Sequence, residues 1–347
     1  AADIGRMSIA SVRILRLALG TSLGLLFSQA FGWPLSFVAP VFTLVILGLP
    51  MPALSLKAGI GFVLVLTIAL YAGTLLIPAL EHMPAVGLLI LILALFWSFY
   101  FTARGGSALL GTFATVGIAL STAVGSVNID AVFELAAYLS FAALVGVVFV
   151  WIAHALLPDS LAGFESPAGK KEKPPSPPLA DARWSAYRSL LIVFPVTFWF
   201  LLSPESTAYV AVMIKVASMG QQATNSDTFV AARSLLVSTL IGGVAAIIGW
   251  QVLSMAPTLS IYTLFVALAA LVMGPRIFKG AGMHPDGATW SYGLLTMLVI
   301  LAPAVMDGIG GASAGAKFWD RMLMFVLATL YAVIAVYVVD AFRPRRS

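Results

Sequence analysis

The residue whose type and position carry the most chemistry is Lys215, a lone lysine within the apolar run from Ser206 to Met219. An ammonium inside hydrocarbon costs several kcal/mol unless it meets water, a counter-ion or an anionic substrate, so a carboxylate is its natural ligand. The run has fourteen residues. At about 1.5 Å each, a helix of that length reaches about 21 Å of a roughly 30 Å hydrocarbon core. Lys215 then lies about 13 to 14 Å below the outer end. In the competing reading its long stem snorkels to the interface beside Gln221 and Gln222. The matching run of the first half, about 35–49, is also short, with Pro40 in its middle and Thr43 opposite Lys215. Short or proline-broken segments at matching positions of two halves point to a transporter binding site. With aromatic walls from Phe37 and Tyr209, the expected substrate-binding set is Lys215, Thr43, Pro40, Phe37 and Tyr209.

Other charges fall at segment ends. Lys57, Arg233 and Arg104 are expected at an inner mouth, where topology alone predicts basic residues and where they would also gather anions. Glu134 and Asp320 are expected to start the sixth and twelfth segments, and His154 and Asp340 to end them. Twenty residues at about 100° each give a net rotation of about 200°, so each pair faces opposite sides of its helix, about 30 Å apart. They cannot form one relay on a straight helix. Anchoring or inter-helix pairing is favoured over proton transfer, and Asp320 and Arg321 can pair locally. No carboxylate sits near a segment midpoint. An anion moved outward across a membrane negative inside gains about 2.3 kcal/mol per 100 mV, so export does not require a buried acid. His284, Pro285 and Asp286 form a close histidine and acid pair. Without an adjacent nucleophile or a second histidine at ligand spacing, a turn is expected there, with no catalytic residue, no metal and no cofactor.

These residues need elements that hold them in a bilayer. Of 347 residues, 61% are hydrophobic and 10% charged, with a mean hydropathy of +1.03, far more apolar surface than a soluble core could hide. An all-α integral membrane protein is expected. The chain contains no cysteine, which excludes disulfides and thiolate chemistry. Prolines, glycines and charges divide it into about twelve segments: 14–32, 35–50, 58–80, 84–101, 106–126 and 133–156, then 185–203, 206–220, 229–254, 258–275, 287–306 and 320–341. A cytoplasmic amino terminus puts 16 of the 19 basic residues on cytoplasmic ends, so both termini are expected in the cytoplasm.

The two halves repeat each other. Glu134, His154 and Pro158 have the spacing of Asp320, Asp340 and Pro344; Arg13 pairs with Arg188, and Lys57 with Arg233. The expected organisation is a six-helix repeat at 1–157, a polar disordered cytoplasmic linker at 158–183, and a second six-helix repeat at 184–347. An even number of spans makes the repeats parallel, related by a pseudo-twofold axis along the membrane normal.

Leu15-Arg16-Leu17-Ala18-Leu19-Gly20, Gly32-Trp33-Pro34-Leu35-Ser36-Phe37-Val38-Ala39-Pro40, Arg233 with Thr239 and Gly242, and Asp340-Ala341-Phe342-Arg343-Pro344 resemble the fusaric acid resistance and aromatic acid exporter superfamily. The plant aluminium-activated malate transporters look like distant relatives. The resemblance implies a bacterial inner-membrane exporter of aromatic carboxylates or related toxic compounds, working with a periplasmic membrane-fusion adaptor and an outer-membrane channel. The chain departs from larger members in its short linker, where they carry a folded cytoplasmic domain. The charge distribution gives no reason to expect nucleic acid as a partner. Two rival readings are an organic-anion channel on the same scaffold and a membrane-embedded enzyme, which would need its catalytic groups at one depth.

Overall fold

Apolar sequence in a bilayer must close its backbone hydrogen bonds internally, and here it does so almost wholly as helix. The computed structural model describes residues 7–162, 177–203, 210–224, 228–306 and 314–343. Their helices are α1 (Ile9–Phe31), α2 (Val38–Leu47), α3 (Leu56–Thr74), α4 (Ile77–His82), α5 (Pro84–Ala103), α6 (Ala108–Gly125), α7 (Ile129–Leu156), α8 (Leu179–Leu202), α9 (Val210–Thr224), α10 (Thr228–Met255), α11 (Leu259–Ile277), α12 (Gly287–Met306) and α13 (Ala314–Ala341). A single 3₁₀ turn covers Asp159–Ala162, and an antiparallel ribbon pairs β1 (Phe278–Lys279) with β2 (Gly282–Met283).

Ten spans among the described residues are long and apolar enough to cross a membrane, α3 and α4 counting as one; α2 and α9 are shorter. The outward faces identify the solvent. Ile60, Leu64 and Ile68 on α3, and Leu264, Leu268 and Val272 on α11, recur every fourth residue and are all exposed. Such continuous apolar stripes suit lipid, not water. The protein is a multi-pass integral membrane protein.

Helix boundaries follow local chemistry and correct three expectations. Asn128 accepts from the amides of Asp130 and Ala131 at 2.9 and 3.2 Å, which starts α7 at Ile129. Glu134 is therefore the sixth residue of α7, and Asp320 the seventh of α13, rather than helix starts; the acid in the first turn of α7 is Asp130. Pro40 lies in the first turn of α2, where an amide has no intrahelical acceptor to lose, so it begins the helix instead of breaking its middle. The chain reverses before it, through Gly32 and Leu35, both left-handed at φ of 62° and 59°. At the linker, α8 begins at Leu179, six residues before the expected 185, and residues 163–176 lie outside the described set.

The chain forms two compact units, each assembled from both halves of the sequence. The first takes residues 1–61, 141–172 and 237–319. In it α1 packs on α2 and α11, α11 on α12, and α12 on α2. The second takes residues 62–140, 173–236 and 320–347. There α8 packs on α9 and α5, α5 on α6, and α6 on α9. Counting α3 and α4 as one helix of the first half, both units repeat one scheme: a half's first helix meets its own second helix and the other half's fourth.

Candidate functional site at the short helices

In the second unit, α9 is the helix to explain, because all fifteen of its residues are buried although five are polar: Lys215, Ser218, Gln221, Gln222 and Thr224. About 22 Å of helix is enclosed by its neighbours. Glycine makes the enclosure possible. A methyl at Gly220 would strike Val193 of α8 and lie 3.0 Å from the ring of Phe99 on α5; one at Gly111 of α6 would strike Thr102 and lie 3.2 Å from Gln221 Nε2. Small residues at these crossings let backbones approach closely, as helix packing within a bilayer requires.

Each polar group of α9 has a structural setting. Lys215 is 0% exposed, so its ammonium does not emerge at the protein surface as the snorkelling reading needs. The Ser218 hydroxyl donates to the Lys215 carbonyl at 2.6 Å. Gln221 Nε2 donates to Thr115 Oγ1 at 3.4 Å, and Thr115 in turn meets Ser98 Oγ at 2.7 Å. The Gln221 carbonyl oxygen is buried and has no hydrogen-bond partner among the described residues. Gln222 donates to the Ser234 hydroxyl of α10.

The carboxyl end of α9 is held by charge. Arg188 of α8 donates to the Ala223 carbonyl and, at 2.8 Å, to Asp340 of α13. A guanidinium beside the last carbonyls of a helix complements its dipole. Asp340, itself near the end of a helix where a carboxylate is unfavourable, also accepts from Trp184 Nε1 at 3.1 Å and from the Thr228 hydroxyl at 2.5 Å. Its setting is that of an inter-helix clamp joining α8, α10 and α13.

In the first unit, Phe37, Pro40 and Thr43 are buried at three-residue spacing along α2, which places them on one face. The Thr43 hydroxyl lies 3.1 Å from the Ala39 carbonyl and 3.2 Å from the Gly146 carbonyl of α7, tying α2 to that helix. The structure thus gathers these three in one unit and Lys215 in the other, while Tyr209 lies outside the described residues.

The remaining charges separate by exposure. Lys57 and Arg233 are exposed, and Arg104 is half-buried with its Nη1 donating to the Pro177 carbonyl at 2.7 Å. Glu134 and Asp320 are exposed, and Arg321 is half-buried. His154 Nδ1 lies 2.9 Å from the Val150 carbonyl. At His284, Nδ1 accepts from the Asp286 amide at 3.2 Å, an arrangement of a turn. Sequence reasoning named Arg13 in the repeat and Arg16 in the resemblance without giving either a site role, and passed over Asp159. Arg16 is 2% exposed, with its Nη2 at 2.5 Å from Asp159 Oδ1 and its Nε donating to the Leu157 carbonyl at 2.6 Å. The signal lay in the repeat, since Arg13 occupies the position of Arg188.

Residues 13–153 match a family described as a protein of unknown function (DUF2955), a stretch running from the first turns of α1 to the last turns of α7. No curated protein and no solved structure matches the chain.

Proposed function

We propose that the protein is an efflux transporter that exports organic anions, aromatic carboxylates foremost, across the bacterial inner membrane. The observation that carries this reading is Lys215, wholly buried on a helix too short to span and surrounded along that helix by serine and glutamine side chains. A lysine buried on such a helix is well suited to meet an anionic substrate. In this conformation Lys215 is enclosed, so α9 must shift against its neighbours for an anion to reach it. That is the behaviour of a coupled or gated carrier.

The finer architecture belongs to the same proposal. Twelve membrane helices form two parallel repeats about an axis along the membrane normal, both termini are cytoplasmic, and a periplasmic adaptor receives the exported anion. The neighbour scheme common to the two units supports the repeat. The family match, confined to residues 13–153 of the first half, supports it as well. Resemblance to the aromatic acid exporter superfamily supports the substrate class.

The test is efflux of benzoate from loaded vesicles by wild type and Lys215→Met at matched expression. Methionine keeps most of the stem's bulk and removes the charge. The expected result is an intact, inserted protein with saturable export reduced on the order of tenfold or more. Wild-type export by Lys215→Met overturns the assignment, and flux that never saturates turns the reading to a channel.

A further inference from the structure

The two units differ at one arginine position. In the second unit, Arg188 donates to a carboxylate of the chain itself, Asp340, and to the Ala223 carbonyl. In the first half the residue standing where Asp340 stands is His154, and the arginine standing where Arg188 stands is Arg13. Arg13 is 9% exposed, and its Nη1 donates to a backbone group, the Ala281 carbonyl, at 2.6 Å, with no carboxylate bonded to it among the described residues.

A shallow cleft, open on one side, occurs at this place. Arg13, Arg16 and His154 line it together with apolar walls that include Leu47, Met51 and Leu54. Two guanidinium groups share one carboxylate, Asp159, which Arg16 engages. The charge left over is positive before His154 is counted. His154 Nδ1 faces the Val150 carbonyl and must carry the hydrogen there, so the neutral ring has a bare Nε2 and gains a second donor on protonation.

The geometry points to a binding site in this cleft for an organic anion with an apolar body: its carboxylate or phosphate would meet Arg13 beside His154, and its body the apolar walls. The position matches the one that a carboxylate of the chain itself fills in the second unit. The inference extends the anion-export reading by giving the anion a docking place away from Lys215. Its test reads binding rather than flux, so the two fail separately.

The experiment uses the full chain in nanodiscs of phosphatidylcholine, with radiolabelled benzoate as the probe. Saturable binding is expected, weakened on the order of tenfold by Arg13→Gln. Because Arg13→Gln removes a buried side chain, His154→Asp provides the second arm: it rebuilds the Arg188 and Asp340 arrangement, should fold, and should abolish benzoate binding. A parallel arm places phosphatidylglycerol in the discs and follows its retention by native mass spectrometry. Retention by wild type and loss in His154→Asp, without benzoate binding, identifies a lipid headgroup as the source of the same anionic chemistry. Binding of either probe at wild-type strength in both variants overturns the site, as does the absence of saturable benzoate binding together with no phosphatidylglycerol retention. Lys215→Met separates this site from the other: lost export with cleft binding intact leaves the cleft standing.

Discussion

Replacing Asp340 with alanine tests whether the clamp at the end of α9 is a desolvated ion pair or a surface one. The carboxylate serves three donors, Arg188 Nη1, Trp184 Nε1 and the Thr228 hydroxyl. The Arg188 and Asp340 side chains are 6% and 10% exposed, so solvent screens the pair very little. Removing one partner of a buried pair costs about 3–5 kcal/mol, whereas an exposed pair is worth under about 1 kcal/mol. Arg188 keeps its bond to the Ala223 carbonyl, which places the expected loss near the lower figure, about 3 kcal/mol. Arg188→Met combined with Asp340→Leu removes both charges and should recover most of that loss, because no unmatched charge stays behind. The assay is detergent-driven unfolding in mixed micelles of wild type, Arg188→Met, Asp340→Leu and the double variant, with Asp340→Ala beside them. A coupling energy of at least about 3 kcal/mol is expected from that cycle, since each single change leaves one buried charge unmatched. Asp340→Ala within about 1 kcal/mol of wild type would refute the reasoning and return Asp340 to the role of a solvated anchor.

Three further substitutions follow, one at a close helix crossing, one at an open glycine and one in the hydroxyl cluster beside α9. Gly146→Ala should destabilise by about 1–3 kcal/mol in the same assay, since the new methyl would lie 2.7 Å from Phe42 Cβ and 3.0 Å from the Ala39 carbonyl. Gly61→Ala has nothing within 4 Å and should be neutral or stabilising by up to about 1 kcal/mol through helix propensity alone. Thr115→Val removes the acceptor of Gln221 Nε2 and one partner of Ser98; the expected cost is about 1 kcal/mol, the scale of polar contacts between helices in a bilayer. A loss beyond about 3 kcal/mol there would mean that the hydroxyl cluster orders α9 as a unit.

Membrane class, most spans and the two short helices were legible in the sequence because each rests on local quantities: run length, hydropathy and the cost of a buried charge. The errors arose where tertiary partners decide. Gln221 and Gln222 read as interface residues that end a segment at 220, yet both are buried, one against Thr115 and the other against Ser234, and α9 continues to Thr224. Pro40 read as a break because the start of α2 was placed three residues early. The assembly of each unit from both halves has no local signature. It depends on α1 meeting α11 and α5 meeting α8, pairs separated by more than 70 residues, and between lipid-soluble helices such choices follow small-residue contacts such as that of Gly274 with Ile14.

If the protein exports anions as proposed, the differences between its two halves bear on the order of the steps. The second half carries a wholly buried lysine, Lys215, and pairs Arg188 with its own carboxylate, Asp340. The first half carries Thr43 at the matching position, bonded to backbone carbonyls, and has Arg13 beside a histidine and a cleft. If duplication began with identical halves, each exchange altered the charge at one matched position. An anion held first at Arg13 and then at Lys215 would pass from a cleft partly open to solvent to an enclosed cation. Swapping the endpoints tests that order: His154→Asp should raise the apparent KM for export while leaving the maximal rate near wild type, because the deep cation is untouched. Lys215→Met should lower the maximal rate. If His154→Asp instead lowered the maximal rate and left KM alone, the cleft would not precede the deep site on the path.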